Sequence, residues 1–381
     1  MSGRSASAVS PPDERPLVGG AIHGRRSLRV GLLALGAVSM IAGLCGGLWR
    51  LGWTLPHGVG LAALHGPLMI SGAFGALISL ERAVAVGRDW SYLAPILAAA
   101  GSLALLAGLP PEVGAAGYVL ASGVLFAATL LIACQQPALF TAVLLLGAAA
   151  WLSGNVLWLL GRAVPDVAGW WLAFLIFTIG GERLEMSRLL ERKRGSEVLF
   201  LFAAGLVAAG ARNGITTHDG AVLFGLGLLG TAAWLARHDL AMKTVRLSGQ
   251  ARFCATAMLA GYAWMAVAGV ALIARGPDVA PYGYDVALHA VLIGFVLSMV
   301  FGHALIIIPA VARVRLRYQP VLYGPLALLH LSALLRVAGG LLEIEEMRRV
   351  SGPLTLLAMV AFAACLFYGA RAKGRRPVTA N

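Results

Sequence analysis

The sequence predicts an all-α integral membrane protein of about twelve transmembrane helices with both termini in the cytoplasm. Three observations predict it. Hydrophobic residues make up 59% of the 381 positions and charged residues only 12%, with a mean hydropathy of +0.82, which excludes an ordinary soluble domain. Apolar runs long enough to cross a bilayer recur along the whole chain, separated by short polar breaks that could not fold as an independent domain. The Lys and Arg residues fall alternately rich and poor between those runs, as the positive-inside rule requires.

Residues 1–29 are polar and contain Pro and Arg, and are expected to form a disordered cytoplasmic N-terminus; they lack the short apolar core and cleavage site of a signal peptide. The twelve-helix membrane domain then occupies residues 30–370, and a basic cytoplasmic tail follows over 371–381. The first four spans are expected at 30–51, 60–84, 91–109 and 113–134, and the next four at 138–160, 168–187, 197–212 and 220–236. The last four fall at 253–274, 284–311, 320–340 and 353–370. With a cytoplasmic N-terminus, the inner side collects Arg25, Arg26 and Arg29, then Arg82 and Arg88. It also takes the basic turn "ERLEMSRLLERKRG", the loop carrying Arg237, Lys243, Arg246 and Arg252, the cluster "RVRLR" and the tail "RAKGRR". Arg50, Arg162, Arg212, Arg275, Arg348 and Arg349 fall outside, and Arg336 falls within a span. The net charge of +13 therefore follows from topology and contact with anionic lipid, and points away from a nucleic-acid partner.

The four cysteines, Cys45, Cys134, Cys254 and Cys365, fall in or at the ends of four different spans and form no CxxC pattern and no disulfide framework. The sequence carries no phosphate-binding loop, dinucleotide fingerprint or HExxH.

Ionisable groups inside the spans carry the functional information, because burying one unpaired in hydrocarbon costs several kcal/mol. His65, His289, His303 and His330 fall within spans. His65 and His289 each lie about five residues into an outside-to-inside span, roughly 8 Å below the outer boundary at the helical rise. Two neutral imidazoles at matched depth are what axial ligation of a haem needs. His303 follows about 14 residues after His289, which at a regular α-helical phase returns it to within roughly 40° of the same face and about 21 Å deeper. His330 reaches a similar depth on the eleventh span, so a second ligand level is conceivable. Met69 and Met299 stand one turn from His65 and His303, so copper is a further candidate. Against each lone histidine stands the alternative of an interhelical hydrogen bond.

The second span, "LHGPLMISGAFGALISLER", ends in Glu81 and Arg82, and the sixth ends in Glu182 and Arg183. Both read as cytoplasmic anchors in which Arg snorkels to the interface beside an offsetting acid. The alternative is that Glu81 and Glu182 begin a proton path.

This pattern resembles the catalytic subunit of the haem–copper oxidases and the NnrS-type haem-copper membrane proteins. "LHGPLM" looks like the second-span stretch whose histidine ligates the oxidase low-spin haem, and "LHAVLIGFVLSMVFGHALIIIPAV" offers His289 on the tenth span. "FTIGGERLEM" is similar to the Gly-Gly-Arg end of the sixth span in the NnrS-type proteins. "EEMRR", in the expected outer loop before the last span, is similar in position to the paired arginines that hold haem propionates, which makes Arg348 and Arg349 candidates. The resemblance implies three arcs of four helices, a b-type haem, a redox partner or respiratory complex, and residence in the bacterial inner membrane. The sequence departs from the oxidases where their copper histidines stand, since residues 168–187 and 197–212 contain none. The function implied is thus electron transfer or nitric oxide and gas handling rather than oxygen reduction, and an enzyme of this kind would be an oxidoreductase. A proton- or metal-coupled secondary transporter without haem, or an assembly subunit of a respiratory complex, remains the alternative.

Overall fold

A computed structural model describes residues 18–56, 58–187 and 194–371 of the chain. Among the described residues there is no β-strand, and twelve helical segments are long and apolar enough to cross a membrane. The protein is an all-helical integral membrane protein whose outer helices face lipid. The spans are α1 (Arg26–Arg50), α2 (Gly58–Val86), α3 (Asp89–Leu106), α4 (Pro111–Gln135), α5 (Leu139–Leu159) and α6 (Val164–Met186). The second half holds α7 (Gly195–Asn213), α8 (His218–His238), α9 (Gly249–Ala274), α10 (Gly283–Ala312), α11 (Pro320–Leu341) and α12 (Glu345–Ala370).

Ten of the twelve begin and end within a few residues of their expected places. The exceptions are the two ends of the bundle. The helix containing α1 already runs from Val18, so residues 18–29 are helical rather than disordered. No proline follows Pro16 until residue 56, so no ring interrupts the helix between Val18 and Arg50. Arg29 is fixed there by its Nε, which donates to the Tyr92 hydroxyl at 2.8 Å. Residues 1–17 and 372–381 lie outside the described residues. At the other end α12 starts at Glu345 instead of 353. Glu345 and Glu346 in its first turn complement the helix dipole, and Pro353 sits inside the helix. Arg348 and Arg349 therefore belong to the first turn of α12 and not to a loop.

Consecutive spans pack on one another, and α12 returns to α1. The most enclosed segments are those of α6 and α10, with 72% and 61% of their apolar windows buried inside the protein, against 28% and 22% for α1 and α12. α2 touches both of these inner helices, so the spans carrying His65 and His289 meet at the centre of the bundle.

Both spans share an irregularity that residue periodicity does not reveal. α2 is α-helical over Gly58–Pro67, π-helical over Leu68–Phe74, then α-helical again from Gly75. α10 is α-helical over Gly283–His289, π-helical over Ala290–Leu297, then α-helical from Ser298. Each candidate ligand thus stands just before a widened helical turn, a feature that gathers at functional sites. In α2 the break has a chemical cause, because Pro67 has no N–H to give to the ladder.

A buried polar cluster pins the widened turn of α2 from the side. The Ser71 hydroxyl donates to Asn155 Oδ1 at 2.8 Å, and the Trp151 indole donates to Ser71 Oγ at 3.1 Å. Asn155 Oδ1 also accepts from Trp171 Nε1 at 3.0 Å, while its Nδ2 donates to the Tyr118 carbonyl and Ser122 Oγ. Every polar valence of the fully buried Asn155 is thereby used. Asn155→Leu would strand the Trp171 indole and the Ser71 hydroxyl in an apolar interior. The expected loss is about 2 kcal/mol of stability, read as a lowered thermal midpoint in detergent. An unchanged midpoint would show that these groups find other partners.

Candidate functional site

A cavity of about 350 Å³ lies between α1, α2, α10, α11 and α12, on the side of the membrane opposite the chain ends. His65 and His289 both line it. Their rings are nearly parallel, at 13°, with centroids 6.4 Å apart. His65 Nδ1 lies 2.6 Å from the Gly43 carbonyl oxygen on α1, and His289 Nδ1 lies 2.8 Å from the Asp285 carbonyl one turn earlier. A carbonyl only accepts, so in each ring Nδ1 carries a hydrogen, and Nε2 is the nitrogen left for a metal. That is the tautomer of a metal-bound imidazole whose other nitrogen is held by a backbone acceptor. The 6.4 Å between ring centroids leaves space between the imidazoles for one metal ion.

The walls are apolar, with Leu44, Met69, Ile70, Phe74, Leu288 and Leu292 among them, and charge is concentrated near Asp285. Arg336 Nη2 donates to Asp285 Oδ1 at 2.6 Å, and Arg348 Nη2 stands 3.6 Å from Asp285 Oδ2. Arg348 is also paired with Glu345 at 2.8 Å and lies over the Tyr282 ring, whose hydroxyl is hydrogen-bonded to Glu345. Arg50 lines the same cavity. Asp285 Oδ2, Arg336 Nε and Arg348 Nε are buried with no hydrogen-bond partner among the described residues, which is costly inside a protein unless a ligand or water completes them.

These residues could hold a haem. Two imidazoles alone make a poor site for a bare ion, and among the described residues no group of three or more His, Cys, Asp or Glu side chains converges as a metal site. A tetrapyrrole brings four nitrogens of its own and needs only the axial pair. Its carboxylates would meet the incompletely bonded guanidinium groups, and its ring the apolar walls.

The remaining sequence candidates are dispersed. Arg349 is not at the cavity: its guanidinium lies 4.8 Å from the Trp53 ring centroid, and its carbonyl accepts from Trp53 Nε1. His330 lines neither of the two cavities described here; its Nδ1 accepts from Trp264 Nε1 at 3.1 Å and its Nε2 faces Ser298 Oγ at 3.5 Å. The interhelical hydrogen bond accounts for it. His303 lines a second cavity, so His303 and His330 do not form a second facing pair. The Met299 side chain is buried against Gly261, and it is the Met299 carbonyl that accepts from His303 Nδ1.

That second cavity, about 700 Å³, lies towards the side of the chain ends between α2, α6, α9 and α10. Glu81, Arg82, Glu182 and Arg183 all line it, together with His303 and Asp239. The two Glu-Arg ends therefore face one internal space. Asp239, in the turn after α8, accepts from the Ala241 N–H at 2.7 Å and the Tyr262 hydroxyl at 3.0 Å, and burial raises its pKa.

The sequence marks Arg336 only as a charge within a span and gives no role to Asp285, yet both carry a signal for the site. Arg336 is an arginine inside a span, and Asp285 stands four residues before His289, one helical turn away.

A family model described as "Domain of unknown function (DUF8744)" matches residues 29–371. No curated protein and no solved structure matches the chain.

Proposed function

The chain belongs to the DUF8744 family, and we propose that it is a b-type haem protein of the membrane, acting in electron transfer or in nitric oxide and gas handling. The observation that carries this reading is the His65–His289 pair, parallel at 6.4 Å with both Nδ1 atoms held by carbonyl oxygens. When bound, the haem supplies a one-electron iron couple or a position for a diatomic gas. His65 and His289 bind it, Gly43 and Asp285 orient the imidazoles, Arg336 and Arg348 take its carboxylates, and the apolar wall keeps water away. The positive-inside rule puts the chain ends in the cytoplasm and the haem cavity towards the outer face of a bacterial inner membrane. A redox protein or respiratory complex would reach it there.

The test is the reduced-minus-oxidised spectrum of protein purified with ample haem supply. A b-type α band is expected in the wild type and is expected to vanish in the His65→Ala/His289→Ala double variant. Wild-type protein that takes up no haem would refute the reading. A second reading, a proton-coupled secondary transporter, is favoured by one observation, the cavity that gathers Glu81, Glu182 and His303. It would then explain the protein by itself.

A further inference from the structure

The two imidazoles face different acceptors. Among the described residues, the hydrogen-bond partner of His65 Nδ1 is the neutral Gly43 carbonyl on the neighbouring α1. His289 Nδ1 has the Asp285 carbonyl at 2.8 Å and, at 3.2 Å, the Asp285 carboxylate itself. That carboxylate cannot easily turn away, because Arg336 Nη2 holds the same oxygen at 2.6 Å and Arg348 stands 3.6 Å from the other. The Arg336 side chain is only 8% exposed, which fixes the clamp inside the protein.

An anionic acceptor on Nδ1 pulls the ring hydrogen towards itself and makes Nε2 a stronger donor to a metal, whereas a neutral carbonyl does so much less. The acceptors also differ in tether. His289 and Asp285 share one helical turn, so ring and acceptor move together; the acceptor of His65 belongs to another helix.

We infer that His289 is the anchored ligand and His65 the exchangeable one, so that a small neutral diatomic ligand enters on the His65 face. Asp285 is the positioning residue that creates the difference. The inference rests on the haem reading and deepens it from haem binding to gas binding at a stated face.

The experiment uses full-length protein, haem quantitation and carbon monoxide. His65→Gly is expected to keep haem near the wild-type stoichiometry and to bind carbon monoxide in the ferrous state at least about tenfold more readily than wild type. Added imidazole should return its six-coordinate spectrum, which shows the fold to be intact. His289→Gly is expected to lose haem by about tenfold or more. Asp285→Asn should retain the bis-histidine spectrum with a raised midpoint potential, and about tenfold weaker haem retention. Its iron–histidine stretch, measured by resonance Raman after photolysis of the carbon monoxide complex, should move to lower frequency.

Equal loss of haem in the two glycine variants, or retention by His289→Gly in place of His65→Gly, would overturn the inference. So would an Asp285→Asn protein with unchanged potential and unchanged stretch, a result that does not depend on either glycine variant folding. A wild-type protein without a b-type spectrum is a different failure, that of the haem reading itself.

Discussion

Gly47→Val is expected to abolish the bis-histidine spectrum as completely as removal of His65, while leaving haem content and the fold nearly untouched. A Cβ on Gly47 would stand 2.8 Å from His65 Cε1 and 3.0 Å from its Nδ1, closer than side chains pack. Something must shift, and the imidazole can, because it is the free end of a side chain that borders a cavity. Turning the ring breaks its bond to the Gly43 carbonyl and moves its Nε2 from the observed position. The cost to folding is therefore small, one hydrogen bond of about 1 kcal/mol, while the cost to ligation is the whole axial bond. The bis-histidine spectrum should fall at least about tenfold, with little change in haem content or thermal midpoint. Gly31→Val on the same helix is the control, since nothing lies within 4 Å of its Cβ. A wild-type bis-histidine spectrum in the Gly47 variant would show that the observed His65 ring position is not the one that binds iron.

What the sequence reveals of this site follows from what each signal depends on. Span number, and the equal depth of His65 and His289, depend only on counting residues from a hydrophobic boundary, and both imidazoles do line one cavity. The grouping of His303 with His289 depends on helical phase, and phase is lost where α10 widens over Ala290–Leu297. Nothing in "AVLIGFVL" announces that widening, since it is a property of how α10 packs against α9 and α11. Glu81 and Glu182 sit at the ends of their helices as anchors would, yet α2, α6, α9 and α10 leave a space there that both acids line. A linear reading places an acid at a depth; only the packing of these four helices says what it faces. Arg348 was legible as a charge near the outer boundary, but its neighbour Arg349, identical by type and depth, turns to Trp53 because the α12 first turn points them in different directions.

Arg336→Leu should produce the largest loss of stability of any single change at the site. The guanidinium is 8% exposed and holds Asp285 at 2.6 Å, while Asp285 itself is 22% exposed. Removing the arginine leaves a largely buried carboxylate with Arg348 at 3.6 Å as its remaining cation. Breaking a buried pair from one side costs about 3 kcal/mol, because the surviving charge is left uncompensated. Replacing both members by apolar groups is often neutral, so Arg336→Leu/Asp285→Leu should recover most of the stability lost in the single variant. Haem retention should not recover with it, since the double variant lacks both the carboxylate behind His289 and one guanidinium for the haem carboxylates. Denaturant unfolding in detergent and haem quantitation on the same samples separate the two effects. A double variant as unstable as the single one would mean that Arg336 stabilises by packing and not by charge. Stability restored without haem retention would show why a membrane bundle keeps this ion pair: apolar side chains could fill the same space, but only the charges can fix an imidazole and receive a carboxylate.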